Sequence, residues 1–137
     1  MNYYVIKTDP DTYSVEDFIR DQTTNWDGVH NNQALIYIRS WKPGDRLYFY
    51  HSQGENSIVA LAEVVGLPEP DPNDTRKSWY AKVRIVKALP DSEKLTLKAI
   101  KESGLFSDWL FVRNGRLSVA VCPEEFVQWA EKQGLKF

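Results

Sequence analysis

Three short stretches carry the side chains with most to offer chemically. Lys7-Thr8-Asp9 sets an ammonium, a hydroxyl and a carboxylate on consecutive residues. Thr24 to Ala34, read Thr-Asn-Trp-Asp-Gly-Val-His-Asn-Asn-Gln-Ala, surrounds Trp26 with amide side chains including Asn31 and Gln33. Tyr50-His51-Ser52 closes an aromatic run that begins at Tyr48. Amides present the paired donors and acceptors that match base edges, and an indole stacks on a base face. The same segment also has a plainer meaning: Trp26 fills the core, and Asn31 or Asn32 caps a helix. Lys7 to Asp9 is equally open, as ordinary surface or as the mouth of a binding site.

Metal and nucleophilic chemistry find no support. His30, His51 and Cys122 are the only imidazole and thiol groups, and they lack any ligand spacing. Adjacent residues of a strand point to opposite faces, so His51 and Ser52 do not form a base–hydroxyl pair. Cys122 lies just before Pro123, where a helix dipole favours a thiolate. The favoured reading is a small buried residue at a strand–helix junction, because free cysteine is usually buried. No nucleophile elbow, phosphate loop or dinucleotide fingerprint occurs. The expectation is a protein with no catalytic residues, no metal and no cofactor.

Bulk composition bounds the rest. A chain of 137 residues fits one domain over 1–137, since domains usually hold about 100–150 residues. With 42% hydrophobic residues it can fill a core, which a disordered tail cannot. Nineteen acidic against 17 basic residues leave a net charge of −2, which excludes a polycationic binder held mainly by phosphate neutralisation. It leaves open recognition of one unstacked base, where stacking and edge hydrogen bonds supply the energy. One cysteine excludes an internal disulfide and suggests a reducing compartment. No basic leader precedes an apolar run, and no run is long enough to span a bilayer. A cytoplasmic monomer with no membrane partner is expected.

The elements that must position these groups are mostly readable. Tyr3 to Thr8 reads as a strand ended by Asp9-Pro10-Asp11. Ser14 with Asp17 resembles a capping box for a short helix reaching Arg20, and a second helix spans Asn32 to Ser40. The stretch between these helices reads as loop. Lys42-Pro43-Gly44-Asp45 is a turn launching a strand, Arg46 to His51. Ser57 to Val65 is apolar on both faces, and Trp79 to Ile85 alternates more cleanly. Between them, three prolines in Pro68 to Asp74 forbid regular pairing. Thr96 caps a helix stopped by Gly104. Asn114-Gly115 inside Phe111 to Val119 predicts a hairpin. Pro123 opens a last helix with Phe126, Trp129 and Ala130 on its buried stripe. The order βααβββαββα predicts an α+β fold: a mixed β-barrel with short helices packed around it.

Five motifs in this order resemble the EVE domain, a PUA-like family, and together span nearly the whole chain. Tyr4-Val5-Ile6-Lys7-Thr8-Asp9-Pro10 is similar to its Trp-x-x-Lys-Ser/Thr-Glu-Pro opening. Trp26-Asp27-Gly28-Val29-His30-Asn31-Asn32-Gln33-Ala34 resembles its Trp-Asp-Gly-Val-Arg-Asn-Tyr-Gln-Ala segment. Lys42-Pro43-Gly44-Asp45 with Phe49-Tyr50-His51-Ser52, then Ala60 to Val65, then Arg116-Leu117-Ser118-Val119 complete the set. The family is similar in fold to YTH domains, which hold a methylated base in an aromatic cage.

The resemblance implies a reader of one modified base, such as a modified cytosine, in DNA or RNA. It implies that Trp26 stacks on the base while Lys7, Thr8 and Asp9 line the pocket. It further implies that Asn31 and Gln33 hold the loop or reach the base edge. Tyr50, His51, Ser52, Leu117 and Ser118 would form neighbouring walls, with Trp79 as a second cage ring. Three positions depart from the pattern: His30 replaces Arg, Asn32 replaces Tyr, and Asp9 replaces Glu. Two other functions stay in view. Lys7, His51 and Ser52 would suit a nuclease or base-modifying enzyme, and the net acidity would suit a protein-interaction adaptor.

Overall fold

A computed structural model describes residues 1–137. In chain order the elements are β1 (Tyr3–Thr8), α1 (Val15–Asp21), β2 (Thr23–Trp26), α2 (Asn32–Ser40), β3 (Arg46–His51) and β4 (Ser57–Val64). They continue with β5 (Glu69–Pro70), β6 (Trp79–Ala88), a 3-10 turn at Asp91–Glu93, β7 (Leu95–Thr96) and α3 (Leu97–Glu102). The chain finishes with α4 (Leu110–Arg113), β8 (Val119–Val121) and α5 (Glu124–Lys132).

Local chemistry accounts for most helix starts. The Ser14 hydroxyl accepts from the Asp17 amide at 3.1 Å, and the Asp17 carboxylate accepts from the Ser14 amide at 3.0 Å. This is the reciprocal box that the sequence predicts. The Asn31 and Thr96 side chains likewise accept from Ala34 and Ala99, capping α2 and α3. The Lys42–Asp45 turn closes through the Asp45 amide on the Lys42 carbonyl, with Pro43 leading and Gly44 at φ +96°. Only glycine holds that backbone without strain, which makes this a type II turn. The Asp45 carboxylate, buried, then accepts from the Asn2 and Lys42 amides at 3.0 Å each.

The eight strands form one sheet in the order β2-β6-β4-β3-β1-β8, with β5 on β6 and β7 on β4. β1 runs parallel to β3 and antiparallel to β8; the other neighbours are antiparallel. Period-two alternation splits the side chains between two cores. Tyr4, Ile6, Leu47 and Phe49 face one that also holds Phe18 of α1 and Ala34 and Ile38 of α2. Val5, Tyr48 and Tyr50 face the other, closed by Phe106, Trp109 and Phe126. Both faces are covered, which explains why β4 is apolar on both sides.

The fold is α+β, as expected, but the strand path does not close into a barrel. Helix α2 packs against both β8 and β6, so a helix rather than strand pairing spans that side. Three local expectations also change. Residues 23–26, read as loop, form edge strand β2 because β6 offers a partner, Thr24 opposite Val83. The predicted hairpin at Asn114-Gly115 is absent. A type I′ turn needs φ above zero at both central residues, whereas Asn114 sits at φ −120° after the helical turn α4. β8 pairs with β1 instead. Within the proline-rich loop, Glu69–Pro70 pairs with Tyr80 and Trp79.

Phe126 is fully buried, with ring centroids 4.6 Å from Trp109 and 5.4 Å from Tyr48 and Phe106. Phe126→Ala therefore costs about 3–5 kcal/mol, measured by urea unfolding, because the cavity cannot collapse between rings. A loss below about 1 kcal/mol would mean that α5 is not part of the core.

Candidate functional site

The largest concavity is a cleft of about 680 Å³ where β1 ends and β2 turns into α2. Lys7, Thr8 and Asp9 form one wall, joined by Ser118 from the segment before β8. Thr12 and Tyr13, from the turn before α1, form a second wall. Thr24 to His30 supply the floor and the far wall. That volume is in the usual range for small-ligand sites, about 300–1,000 Å³.

The β1 wall is rigid for a backbone reason. The Lys7 amide donates to the Ser118 carbonyl at 2.8 Å, and the Asp9 carbonyl accepts from Thr12 and Tyr13 at 2.9 and 3.0 Å. The Asp9 carboxylate accepts from the Asp11 amide at 2.9 Å, completing the turn around Pro10. The Lys7 ammonium donates to the Gly115 carbonyl at 2.7 Å and lies 5.6 and 5.5 Å from the Tyr50 and Phe111 rings. Burial holds its pKa below the ordinary lysine value.

Trp26 is only 8% exposed. Tyr13 and Phe49 meet its ring edge-on, with centroids at 6.5 and 5.8 Å. Core packing and site lining are thus one role: the indole belongs to the core under α1 and shows a margin to the cleft floor. Next to it, Asp27 is pushed above the usual carboxylate range by desolvation and by repulsion from Asp71. Gly28, at φ +71°, lets the chain turn from Asp27 to Val29. His30 then reaches across 44 residues of sequence to Asp74, with Nε2 and Oδ2 2.6 Å apart. Asp74 also accepts from the Ser78 hydroxyl and from the Arg76 amide. Those bonds, with that of His30, hold its carboxyl down at about 2.

The remaining candidate residues lie outside the cleft lining. Asn31 caps α2, and Gln33 is exposed on that helix. Tyr50 and Leu117 are buried in the core under α5, and burial pushes the Tyr50 phenol up to about 12. Ser52 donates its hydroxyl to the Thr8 carbonyl at 3.2 Å. Trp79 opens β6 with the Arg39 guanidinium 4.9 Å above its ring. His51, 3% exposed, accepts the Val15 amide on Nε2 at 3.0 Å and faces Glu55 through Nδ1 at 2.9 Å. An accepting Nε2 assigns the proton to Nδ1, so one ring nitrogen anchors α1 and the other donates to Glu55 in the loop after β3. Burial pushes the Cys122 thiol far up, which removes it as a nucleophile.

Thr12, Tyr13 and Asp27 line the cleft without having been singled out in the sequence, and Asp74 supports it from afar. The signal for Tyr13 was its place just before the Ser14 cap. Nothing local marks Asp74. No three His, Cys, Asp or Glu side chains gather to hold a metal ion, and no helix is long and apolar enough to cross a membrane.

Comparison with known proteins adds relatives. Residues 2–133 match the EVE domain family. Rat thymocyte nuclear protein 1 is 35% identical over 89 residues, which cover 56% of this chain and 39% of that protein. The aligned part thus spans about two fifths of that relative. An NMR structure from Rhodopseudomonas palustris superposes with a TM-score of 0.89 at 27% identity, covering 100% of this chain and 97% of that one. The human THYN1 protein, in complex with 5-methylcytosine containing DNA, gives 0.79 at 22% identity over 100% of both chains. The YTH domain of Zygosaccharomyces rouxii MRB1, in complex with N6-methyladenosine RNA, gives 0.58 at 14%, covering 96% and 84%. At those two identities the likeness is one of fold.

Two outcomes follow from the anchors. His51→Leu strands the buried Val15 amide and costs about 1–3 kcal/mol in urea unfolding; an unchanged midpoint would refute the anchoring role. Asp74 lies below its ordinary value of 3.8 when folded, so its contribution is complete above that pH. It is lost as pH falls through about 2. Melting curves of wild type and Asp74→Ala should therefore differ near neutrality and converge between pH 3.8 and about 2. A constant gap would show that the carboxylate is not the anchor.

Proposed function

The chain belongs to the EVE domain family, and on that premise we propose that it is a non-catalytic reader of a single modified nucleobase in DNA or RNA. The base enters the cleft between the Lys7–Asp9 end of β1 and the Trp26–His30 turn. One observation carries this reading: an aromatic floor at Trp26 is ringed by short donors and acceptors, from Thr24, Asn25 and Asp27 to Thr8, Asp9 and Ser118. That is the pairing of flat apolar surface with edge-reading groups that base recognition requires. The fold shared with a 5-methylcytosine DNA complex and an N6-methyladenosine RNA complex supports the same assignment.

Each lining group has a role in this reading. The base rests against the exposed margin of Trp26, while Tyr13 and Val29 give apolar surface for a methyl group. Asn25 both donates to and accepts from the base edge, and the Asp9 and Asp27 carboxylates accept from it. Asn31 acts by fixing the start of α2, which holds the Trp26–His30 turn in place. Tyr50 and Leu117 back the Lys7 wall rather than touch the ligand. The stretch 1–137 works as one module, and a single buried thiol suits a reducing, cytoplasmic setting.

The test is calorimetric titration of free nucleosides and short oligonucleotides, modified against unmodified. Modified bases should bind more tightly. Trp26→Ala should lose about ten-fold or more, since base–aromatic stacking is worth about 1–3 kcal/mol per base. Because Trp26 is core, the exposed Asn25→Ala serves as a second variant whose fold is secure. Equal affinity for modified and unmodified bases, or full affinity in both variants, would end this reading.

A further inference from the structure

Two turns far apart in sequence, built like the Asp9 turn of the cleft wall, each reach the cleft through one contact. In one, the Arg76 amide donates to the Asp74 carboxylate at 2.8 Å and the Lys77 amide to the Asp74 carbonyl at 3.1 Å. In the other, the Arg116 amide donates to the Asn114 side chain at 3.1 Å and the Leu117 amide to the Asn114 carbonyl at 3.2 Å. Each turn is fastened to a cleft-lining residue. Asp74 holds His30, and the Gly115 carbonyl holds the Lys7 ammonium. The two turns therefore meet the cleft through different walls.

Both carry exposed cations: Arg76 and Lys77 on the first, Arg113 and Arg116 on and beside the second. None of the four is tied up in an ion pair, as Arg20, Arg84 and Lys94 are, and they share that freedom with other surface cations such as Lys132 and Lys136. The cleft itself is lined by two carboxylates, Asp9 and Asp27, while the Lys7 ammonium on its wall is turned to the Gly115 carbonyl. Desolvation and the neighbouring Asp71 already act against charge on Asp27. A phosphate entering this space would meet two carboxylates. A neutral base would not.

We propose that the two turns form a phosphate-holding rim, in which Arg76, Lys77, Arg113 and Arg116 bind the nucleic-acid backbone flanking the base held in the cleft. This rests on the base-reading function above and extends it to a division of labour. Carboxylates keep phosphates out of the cleft, and cations on the two turns catch them at its edge. A chain of net charge −2 thereby gains a local cationic surface where the ligand approaches. Backbone contacts of this kind position the strand without reading its sequence.

The test measures oligonucleotide affinity against salt for wild type and two double variants, Arg76→Ala/Lys77→Ala and Arg113→Ala/Arg116→Ala. Lys132→Ala/Lys136→Ala, on and after α5, is the control. Single-stranded DNA and RNA of one sequence, each with a modified base, form parallel arms. Each rim pair should flatten the log–log salt slope by about 1 to 1.5, at about 0.7 per lost phosphate contact on single strands. Affinity for the free modified nucleoside should stay unchanged, as should urea midpoints. A loss of slope on either arm supports the rim and identifies the backbone. Unchanged slopes on both arms, an equal loss in the control pair, or no oligonucleotide binding at all would overturn it. A nucleoside that fails to bind while the slopes still fall would remove the base reading and leave the rim. A nucleoside that binds with unchanged slopes would do the reverse.

Discussion

Hydrogen bonding on both edges of β1 is the constraint on which the rest of the molecule depends. β3 runs parallel along one edge and β8 antiparallel along the other, so the strand has no free side. Its alternation then assigns Tyr4 and Ile6 to one core and Val5 to the other. Its exit at Lys7 to Asp9 cannot drift, because the Lys7 amide and the Thr8 and Asp9 carbonyls are all bonded into the frame. A ligand wall made this way is stiff before any ligand arrives, and such preorganisation limits the ordering cost of binding.

The opposite wall is held by the β2–β6 ladder as far as Trp26, and beyond it by side chains. His30 depends on Asp74, which depends on Ser78, and α1 depends on the imidazole of His51. The His30–Asp74 and Val15–His51 bonds join segments that are distant in sequence, and the His51 imidazole is buried. Lost partners there are expensive, so such bonds specify one arrangement of the loops. Trp26 shows the same economy of parts. Its packing against Phe49 and Tyr13 stabilises the core and also fixes the floor of the cleft. His30 is used here as a strut to another loop.

Much of the local structure was legible because its causes are local. The Ser14–Asp17 box, the Asn31 and Thr96 caps and the Pro43-Gly44 turn each involve atoms within three residues, and each forms. β2 was not legible, since Thr-Thr-Asn-Trp has no strand pattern and becomes one only beside β6. Asn114-Gly115 misled for the converse reason. The dipeptide permits a hairpin, but α4 precedes it and β1 claims the strand that follows.

The amino-acid sequence by itself determined the helix starts and the strands that alternate strongly, which follow from short-range sterics, capping bonds and side-chain type. That Lys7, Thr8, Asp9, Trp26 and Ser118 share one place was implied only by the ordered family motifs, and the fold lines one cleft with them. The tertiary structure alone decided that the sheet stays open beside α2, that Tyr50 and Leu117 point into a core, and that His51 holds a helix. It also decided that Asp74 reaches His30 and that Asp27, Thr12 and Tyr13 join the cleft. Those outcomes turn on hydrogen bonds and burial between segments tens of residues apart, and no local pattern encodes which of the many available partners a polar group will find.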